Sequence, residues 1–254
     1  MSFDFKNKTV LITGASGGIG RRVAQQFDES GACLALHYNS NKEKAQQLLD
    51  SLTGSGHFLI QSDLQEPNAI AELSAKTIAK FNKLDILVNN AGIYNPHPVK
   101  EVSYEEWLAA WQATIRTNLF GPANLTFCIA QEMRKTGGGK IVNISSRGAF
   151  RGEPDAPAYG ASKAGLNAMG QSLSQALASE NIFIYTIAPG FVETAMARPH
   201  LTADRKGLIL KQSPLGRVAK PEEIAKTVLF VASEGTDFLT GGIIDINGAS
   251  YLRS

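Results

Sequence analysis

The sequence predicts an α/β fold, a doubly wound, mostly parallel seven-stranded sheet with helices on both faces. Strand-like and helix-like segments alternate from the start, which is the pattern of repeated βαβ units. The strands are nearly continuous apolar runs, such as Val10-Leu11-Ile12 and Ile86-Leu87-Val88. Runs of that kind suit parallel strands covered on both sides. At 254 residues and 43% hydrophobic content, the chain can bury a full core, and one α/β domain over residues 1–254 accommodates it.

In chain order, the strand Thr9 to Thr13 leads to a helix from about Gly18, and Cys33 to His37 to a helix from about Lys42. Phe58 to Gln61 is the third strand, followed by a helix over Pro67 to Phe81 and the strand Ile86 to Val88. A long helix around Asn118, the strand Lys140 to Ile144, the Tyr159 helix, and the strands Ile182 to Ile187 and Ile243 to Ile246 complete the series. Residues 191–217 contain Pro199, Gly207, Pro214 and Gly216 and no long uninterrupted helix, which predicts a substrate lid over the site.

Charge and composition exclude several classes. The net charge of +2 comes from 25 basic and 23 acidic residues scattered without the basic stripe that nucleic acid requires. No apolar stretch reaches about 18 residues, so no membrane span is expected. Met1 to Lys6 lacks the apolar core of a signal peptide, and a cytoplasmic protein is expected. Cys33 and Cys128 show no metal or redox spacing and read as small core residues in a reducing compartment. No metal site is expected.

The loop Thr13-Gly14-Ala15-Ser16-Gly17-Gly18-Ile19-Gly20 follows the first strand and opens its helix. Glycines there permit a tight turn and let a pyrophosphate approach backbone N–H groups. That is the Rossmann-type dinucleotide site, with spacing GxxxGxG. Position 38, after the second strand, is where an acid would bind the adenosine ribose of NAD, and this chain has Tyr38. Without a carboxylate, nothing there repels a 2′-phosphate, and Asn39, Ser40, Asn41 and Lys42 offer donors and a positive charge. NADP(H) is favoured and NAD(H) stays open, with Arg21 or Arg22 as alternative determinants. Asp63 follows the third strand and Asn89-Asn90-Ala91-Gly92 ends the fourth, at the same ligand-binding edge. Asn89 reads equally well as a loop support, and Asn90 as the residue facing the cofactor.

Tyr159-Gly160-Ala161-Ser162-Lys163 lies thirteen residues after Ser146. A phenol and an ammonium four residues apart share a helix face, since a turn takes about 3.6 residues. Bringing tyrosine from its usual pKa of about 10 to neutrality takes about 4 kcal/mol; an ammonium roughly 5 Å away at an effective dielectric of about 20 supplies about 3 kcal/mol. Lys163 is therefore expected to lower the tyrosine pKa.

These residues resemble the short-chain dehydrogenase/reductase family in its single-domain form. The matches are Gly14-x-x-x-Gly18-x-Gly20, Asp63-Leu64, Asn89-Asn90-Ala91-Gly92, Asn118, Ser146, Tyr159-x-x-x-Lys163, Pro189-Gly190 and Thr194, in order across nearly the whole chain. The resemblance implies that Tyr159 is the general acid/base, that Ser146 hydrogen-bonds the substrate oxygen, and that Lys163 holds the nicotinamide ribose and tunes the tyrosine. Asn118 maintains a water relay. Cofactor contacts fall on Gly14, Ser16, Gly18, Ile19 and Gly20, on Tyr38, Asn39, Ser40, Asp63 and Leu64, on Asn90 and Ala91, on Tyr159 and Lys163, and on Val192 and Thr194. The spacing to Tyr159 favours Ser146 over Ser145, which reads as support for the strand end. Gly17, where NADP-preferring relatives often carry a basic residue, departs from the pattern, as do Thr186 and Asp245-Ile246-Asn247-Gly248-Ala249.

The expected reaction is reduction of a ketone or 3-oxo compound, resembling the 3-oxoacyl carrier-protein reductase-like branch. The alternatives are an NAD-dependent secondary-alcohol or sugar dehydrogenase and, more distantly, a non-catalytic dinucleotide sensor. Ser172 to Asn181 carries no lysine or arginine to dock an acidic carrier protein, and Arg134, Lys135 and Lys140 read equally as solvated charges, so carrier docking stays open. Arg147, Phe150 and Arg151 border the expected substrate position and suit a polar or anionic carbonyl compound, unless Glu153 and Asp155 neutralise them. Trp107 and Trp111, at i, i+4 spacing, read as a packed aromatic stripe. The family resemblance implies a homotetramer built through the helices carrying Asn118 and Tyr159.

Overall fold

The computed structural model describes residues 3–197, 207 and 209–253. Its strands are β1 (Thr9–Ile12), β2 (Cys33–Tyr38), β3 (Phe58–Gln61), β4 (Ile86–Asn89), β5 (Gly139–Ile144), β6 (Ile182–Pro189) and β7 (Ile243–Ile246). The helices are α1 (Gly18–Glu29), α2 (Lys42–Asp50), α3 (Pro67–Phe81), α4 (Tyr104–Ile115), α5 (Gly121–Lys135), α6 (Gly148–Arg151), α7 (Pro157–Leu177) and α8 (Pro221–Ala232). The strands form one sheet in the order β3-β2-β1-β4-β5-β6-β7, and every pairing is parallel. The order reverses between β1 and β4, which opens the crevice where ligands of doubly wound sheets bind.

Side-chain alternation along the strands divides the core into two layers. Val10, Ile12, Ile86 and Val88 pack with Val23 and Phe27 of α1 and Ile224 and Val228 of α8. Leu11 and Leu87 point the other way and pack with Ile70 and Leu73 of α3 and Leu125, Ile129 and Met133 of α5. Both faces of the strands are thus covered, which is why they read as unbroken apolar runs.

Local signals fix the helix ends. Pro67 opens α3, and Asn82 closes it in the left-handed conformation at φ 65°. Ser103 and Glu106 form a reciprocal capping box at the start of α4. The long helix expected around Asn118 is present: α4 runs into α5 without interruption through a π-helical turn over Arg116–Phe120. The turn takes up one residue more than the α-helical count.

Trp107 and Trp111 form the expected stripe, with centroids 5.7 Å apart. The two cysteines are only half-buried, because each sits where its element meets the surface rather than in either core layer; the thiol of Cys33 faces the Ser55 carbonyl at 3.6 Å. The predicted lid over 191–217 lies partly outside the described residues. Among the described residues, no helix is long and apolar enough to cross a membrane.

Leu87 is fully buried at the sheet centre. Leu87→Ala is expected to cost about 2–5 kcal/mol, read in urea denaturation as a lower midpoint with an unchanged m-value.

Candidate active site

The glycine turn leaves β1 under tight restraint. Gly14 and Gly18 adopt φ +63° and +48°, conformations that a side chain opposes. A Cβ on Gly20 would lie 2.4 Å from the Gly14 carbonyl and 2.5 Å from Asn90 Nδ2, so only glycine fits. Asn90 Nδ2 donates to the carbonyls of Thr13 at 2.8 Å and Gly14 at 3.1 Å. Thr13 Oγ1 accepts from the backbone N–H groups of Asn90 and Ala91 at 2.9 and 3.0 Å. β1 and β4 are thereby stitched together at their carboxyl ends. Asn89 turns inward and donates to Thr126 and Asn143 at 3.0 and 2.9 Å, which is the structural role.

Behind the turn stands a residue that the sequence reading passed over. His37 is buried; its Nδ1 accepts from Gly14 N–H at 3.1 Å and its Nε2 donates to the Ser62 carbonyl at 3.0 Å. The two bonds define a neutral ring protonated on Nε2. Burial pushes its pKa down, against the raising effects of the Ser62 carbonyl and nearby Asp63. Its position as the last interior residue of a strand hid it among apolar neighbours.

Tyr38 is half-buried, Asn39 and Ser40 are exposed, and Asn41 caps α2 by accepting from Lys44 N–H at 2.9 Å. Arg22 is engaged by Glu29 and Glu222 at 3.2 and 3.4 Å, so it is not free beside the turn. Asp63 caps its own loop by accepting from Gln65 N–H at 2.9 Å, and Leu64 is buried beside it. Thr194 closes over the glycine turn, 3.0 Å from where a Gly18 Cβ would stand. Val192 is buried and bridges to Ala219.

Four further candidates converge beside this crevice. Tyr159 lies near Ser146, whose Oγ accepts from Gly148 N–H at 3.0 Å. Lys163 is buried, its Nζ 5.8 Å from the Tyr159 ring centroid and donating to the Ile144 carbonyl at 2.8 Å. Asn118, on the π turn, accepts from Ile93 N–H at 2.8 Å and donates to the Ile93 carbonyl at 2.9 Å. A Cβ on Gly92 would lie 3.2 Å from Asn118 Oδ1 and 3.5 Å from Lys163 Nζ, so bare backbone separates the two. Ser145 lies behind, its Oγ donating to the Lys163 carbonyl at 3.3 Å.

The expected lowering of the tyrosine pKa is not what this structure shows. Burial pushes the Tyr159 phenol up to about 12 despite the lowering effect of nearby Ser146, with Glu153 adding to the rise. Burial also pulls Lys163 down to about 8. Desolvation acts against the charged form of both groups, and the ammonium is directed to Ile144.

A second unforeseen histidine fixes this half of the site. His97 is buried; its Nδ1 donates to the Asn95 carbonyl at 2.7 Å and its Nε2 accepts from Ala158 N–H at 3.3 Å. It ties the loop after β4 to the helix turn carrying Tyr159.

With this geometry in place, similarity decides the family. The model of the short chain dehydrogenase family matches residues 8–205. The chain is a member of that family. It is 37% identical over 245 residues to the 3-oxoacyl-(acyl-carrier-protein) reductase FabG of Chlamydia trachomatis, covering 95% of this chain and 96% of that protein. It is 34% identical over 248 residues to the FabG of Staphylococcus epidermidis, covering 97% and 100%. The crystal structure of a short-chain dehydrogenase/reductase, a glucose/ribitol dehydrogenase from Brucella melitensis, superposes at TM-score 0.91 with 33% identity over the full length of both chains. The short-chain dehydrogenase is thus an oxidoreductase of the C=O/CH–OH couple that uses a nicotinamide dinucleotide.

The residues fit that cofactor. The first turn of α1 has no side-chain cap and no acidic residue, leaving its N–H groups to a pyrophosphate. The strained glycines leave the approach free of side chains.

His37 carries a pH consequence. Because its folded pKa is depressed, the unfolded chain takes up the proton first; the stability it confers is complete above about pH 6.5 and is lost as pH falls below that value. His37→Asn is expected to be less stable at pH 7.5 and to lose less stability between pH 7.5 and 5.5 than the parent, read by urea midpoints at each pH.

Proposed function

We propose that this short-chain dehydrogenase is an NADP(H)-preferring reductase of a ketone or 3-oxo compound, with Tyr159 as the general acid. The observation that carries it is the convergence of Ser146, Tyr159, Lys163 and Asn118 beside the crevice. The 3-oxo substrate class is that of the FabG relatives, which are named 3-oxoacyl-(acyl-carrier-protein) reductases.

A nicotinamide dinucleotide bound along the glycine turn supplies the hydride. Ser146 and Tyr159 hydroxyls point to one carbonyl oxygen and neutralise the charge that builds on it. Tyr159 holds the proton to be delivered, and a phenol with a pKa near 12 is protonated throughout the neutral range. Lys163 binds the ribose hydroxyls and, as an ammonium, favours the phenolate left after transfer. Asn118, clamped on both backbone atoms of Ile93, positions the water that returns a proton through Lys163.

NADP(H) is favoured because the first acid after Tyr38 is Glu43, inside α2, leaving no carboxylate to repel a 2′-phosphate. The substrate is a small-molecule carbonyl compound, with carrier docking left open as the sequence left it; Arg134 pairs with Glu180, Lys135 with Glu132 and Lys140 with Asp237, which partly neutralises these cations as a docking patch. Phe120 and Phe127 are 55% and 66% exposed on the segment bearing Asn118, which supports assembly of the homotetramer through that face.

Fluorescence titration is expected to give tighter binding of NADPH than of NADH. Tyr159→Phe is expected to lose turnover by roughly 10²-fold or more while keeping NADPH affinity; equal turnover would end the acid/base assignment. Direction carries its own pH signature. Reduction needs the protonated phenol and is expected not to accelerate with pH between 7 and 9, whereas alcohol oxidation needs the phenolate and is expected to rise over that range.

A further inference from the structure

The helix that carries Tyr159 begins without a cap of its own. Its N-cap position is Ala156, whose methyl group accepts nothing, and its first residue, Pro157, has no N–H to place. Ala158 is therefore the first orphaned donor of α7. It is fully buried, where an unpaired N–H is costly. At α4 the same problem is solved locally, by the Ser103–Glu106 box. At α7 the partner comes from another part of the chain. Ala158 N–H donates to His97 Nε2 at 3.3 Å, and His97 N–H donates to the Asp155 carbonyl at 2.7 Å. That carbonyl lies three residues before Ala158, so His97 stands on both sides of the bond that a tight first turn would have made.

The ring is fixed from its other atoms. Nδ1 donates to the Asn95 carbonyl at 2.7 Å, which leaves Nε2 as the acceptor, and the Trp107 ring packs edge-on with centroids 5.3 Å apart. The same loop meets the site at two further points. Ile93 fastens Asn118 through its backbone N–H and carbonyl, and the Tyr94 ring meets the Tyr159 ring edge-on at 5.0 Å. Residues 93–97 thus hold Asn118, Tyr159 and the start of α7 together. Tyr159 N–H turns back to the Ala156 carbonyl at 2.9 Å, so the register of the tyrosine depends on the turn that His97 closes.

We propose that His97 is the positioning residue of Tyr159: its Nε2 caps α7 from the loop after β4 and thereby sets where the phenolic hydroxyl stands beside Ser146. The inference rests on the reading of Tyr159 as the general acid. His97 is 1% exposed, so it acts through the tyrosine and not on a ligand. A reacting group misplaced by about 1 Å costs roughly 10²-fold in rate, whereas a lost cap is a small part of a domain's stability and leaves the protein folded. The loss therefore falls on kcat. The glycine turn after β1 shares none of these bonds, and dinucleotide affinity is spared.

Two amide side chains separate the two ring nitrogens. In His97→Gln the side-chain oxygen falls near the place of Nε2 and accepts from Ala158; in His97→Asn the amide falls near Nδ1, keeps a donor for Asn95 and stops short of Ala158. With the full chain, NADPH and methyl 3-oxobutanoate, His97→Asn is expected to lower kcat by about tenfold or more while KM and the NADPH Kd stay within about threefold. His97→Gln is expected to restore kcat to within about threefold of the parent. Equal effects on the two variants, small or large, or a greater loss in His97→Gln, overturn the proposal, because support of the loop through Nδ1 would give those results. If His97→Asn fails to fold, His97→Gln decides, and a tenfold fall in its kcat overturns the proposal. Exchange of the Ala158 amide, followed by NMR, gives a readout without turnover. Protection kept in His97→Gln and lost in His97→Asn supports the cap, and equal protection in both overturns it. Tyr159→Phe in the same assay tests the acid reading separately. A Tyr159→Phe enzyme as fast as the parent, or a parent that leaves the ester unreduced, removes that reading, and the exchange pattern still decides the cap.

Discussion

All seven strands among the described residues run in one direction, and parallel neighbours cannot be joined by tight turns; each must return through a crossover on a face of the sheet. Every strand therefore releases its chain at the same edge. The glycine turn after β1, Tyr38 after β2, Asp63 after β3, Asn90 after β4, Ser146 after β5 and Val192 after β6 are gathered there by that one constraint. The helices that make the return journeys bury the strands on both faces, and α7 carries Tyr159 and Lys163 back across the edge. Stability and site geometry thus come from the same connection rule.

The chemistry at that edge is governed by desolvation as much as by charge pairing. Coulomb attraction between an ammonium and a phenolate at about 5 Å is substantial, yet burial disfavours both ions and the net result is a phenol that holds its proton and a lysine that loses its proton more readily. If Tyr159 is the general acid proposed above, that balance suits the reductive direction. The polar groups around it are fixed by backbone partners, Asn118 on Ile93 and Ser146 on Gly148, so little reorganisation is needed when charge appears on a substrate oxygen.

Much of this was legible in the sequence because it depends on short-range rules. The apolar strand runs, Pro67 at a helix start and the glycine turn placed β1, α1 and α3 to within a residue or two. The i, i+4 relation of Tyr159 and Lys163 put them on one helix face. What escaped depends on tertiary neighbours. His37 and His97 act through partners 25 and 61 residues away, and no local pattern marks them. The pKa values depend on burial, which spacing does not encode. The half-buried cysteines were misplaced because an apolar flank does not say which way a side chain faces.

The π turn at Arg116–Phe120 separates two kinds of sequence requirement. A π turn accommodates one residue beyond the α-helical count within a helix whose flanks keep their faces. Removing one residue there would let α4 run into α5 as an ordinary helix, with Leu125, Ile129 and Met133 still turned to the sheet. Asn118 alone would be carried away from Ile93. The asparagine is therefore mounted on a surplus that the core does not need, and its hold on Ile93 can be lost at this point without losing the architecture.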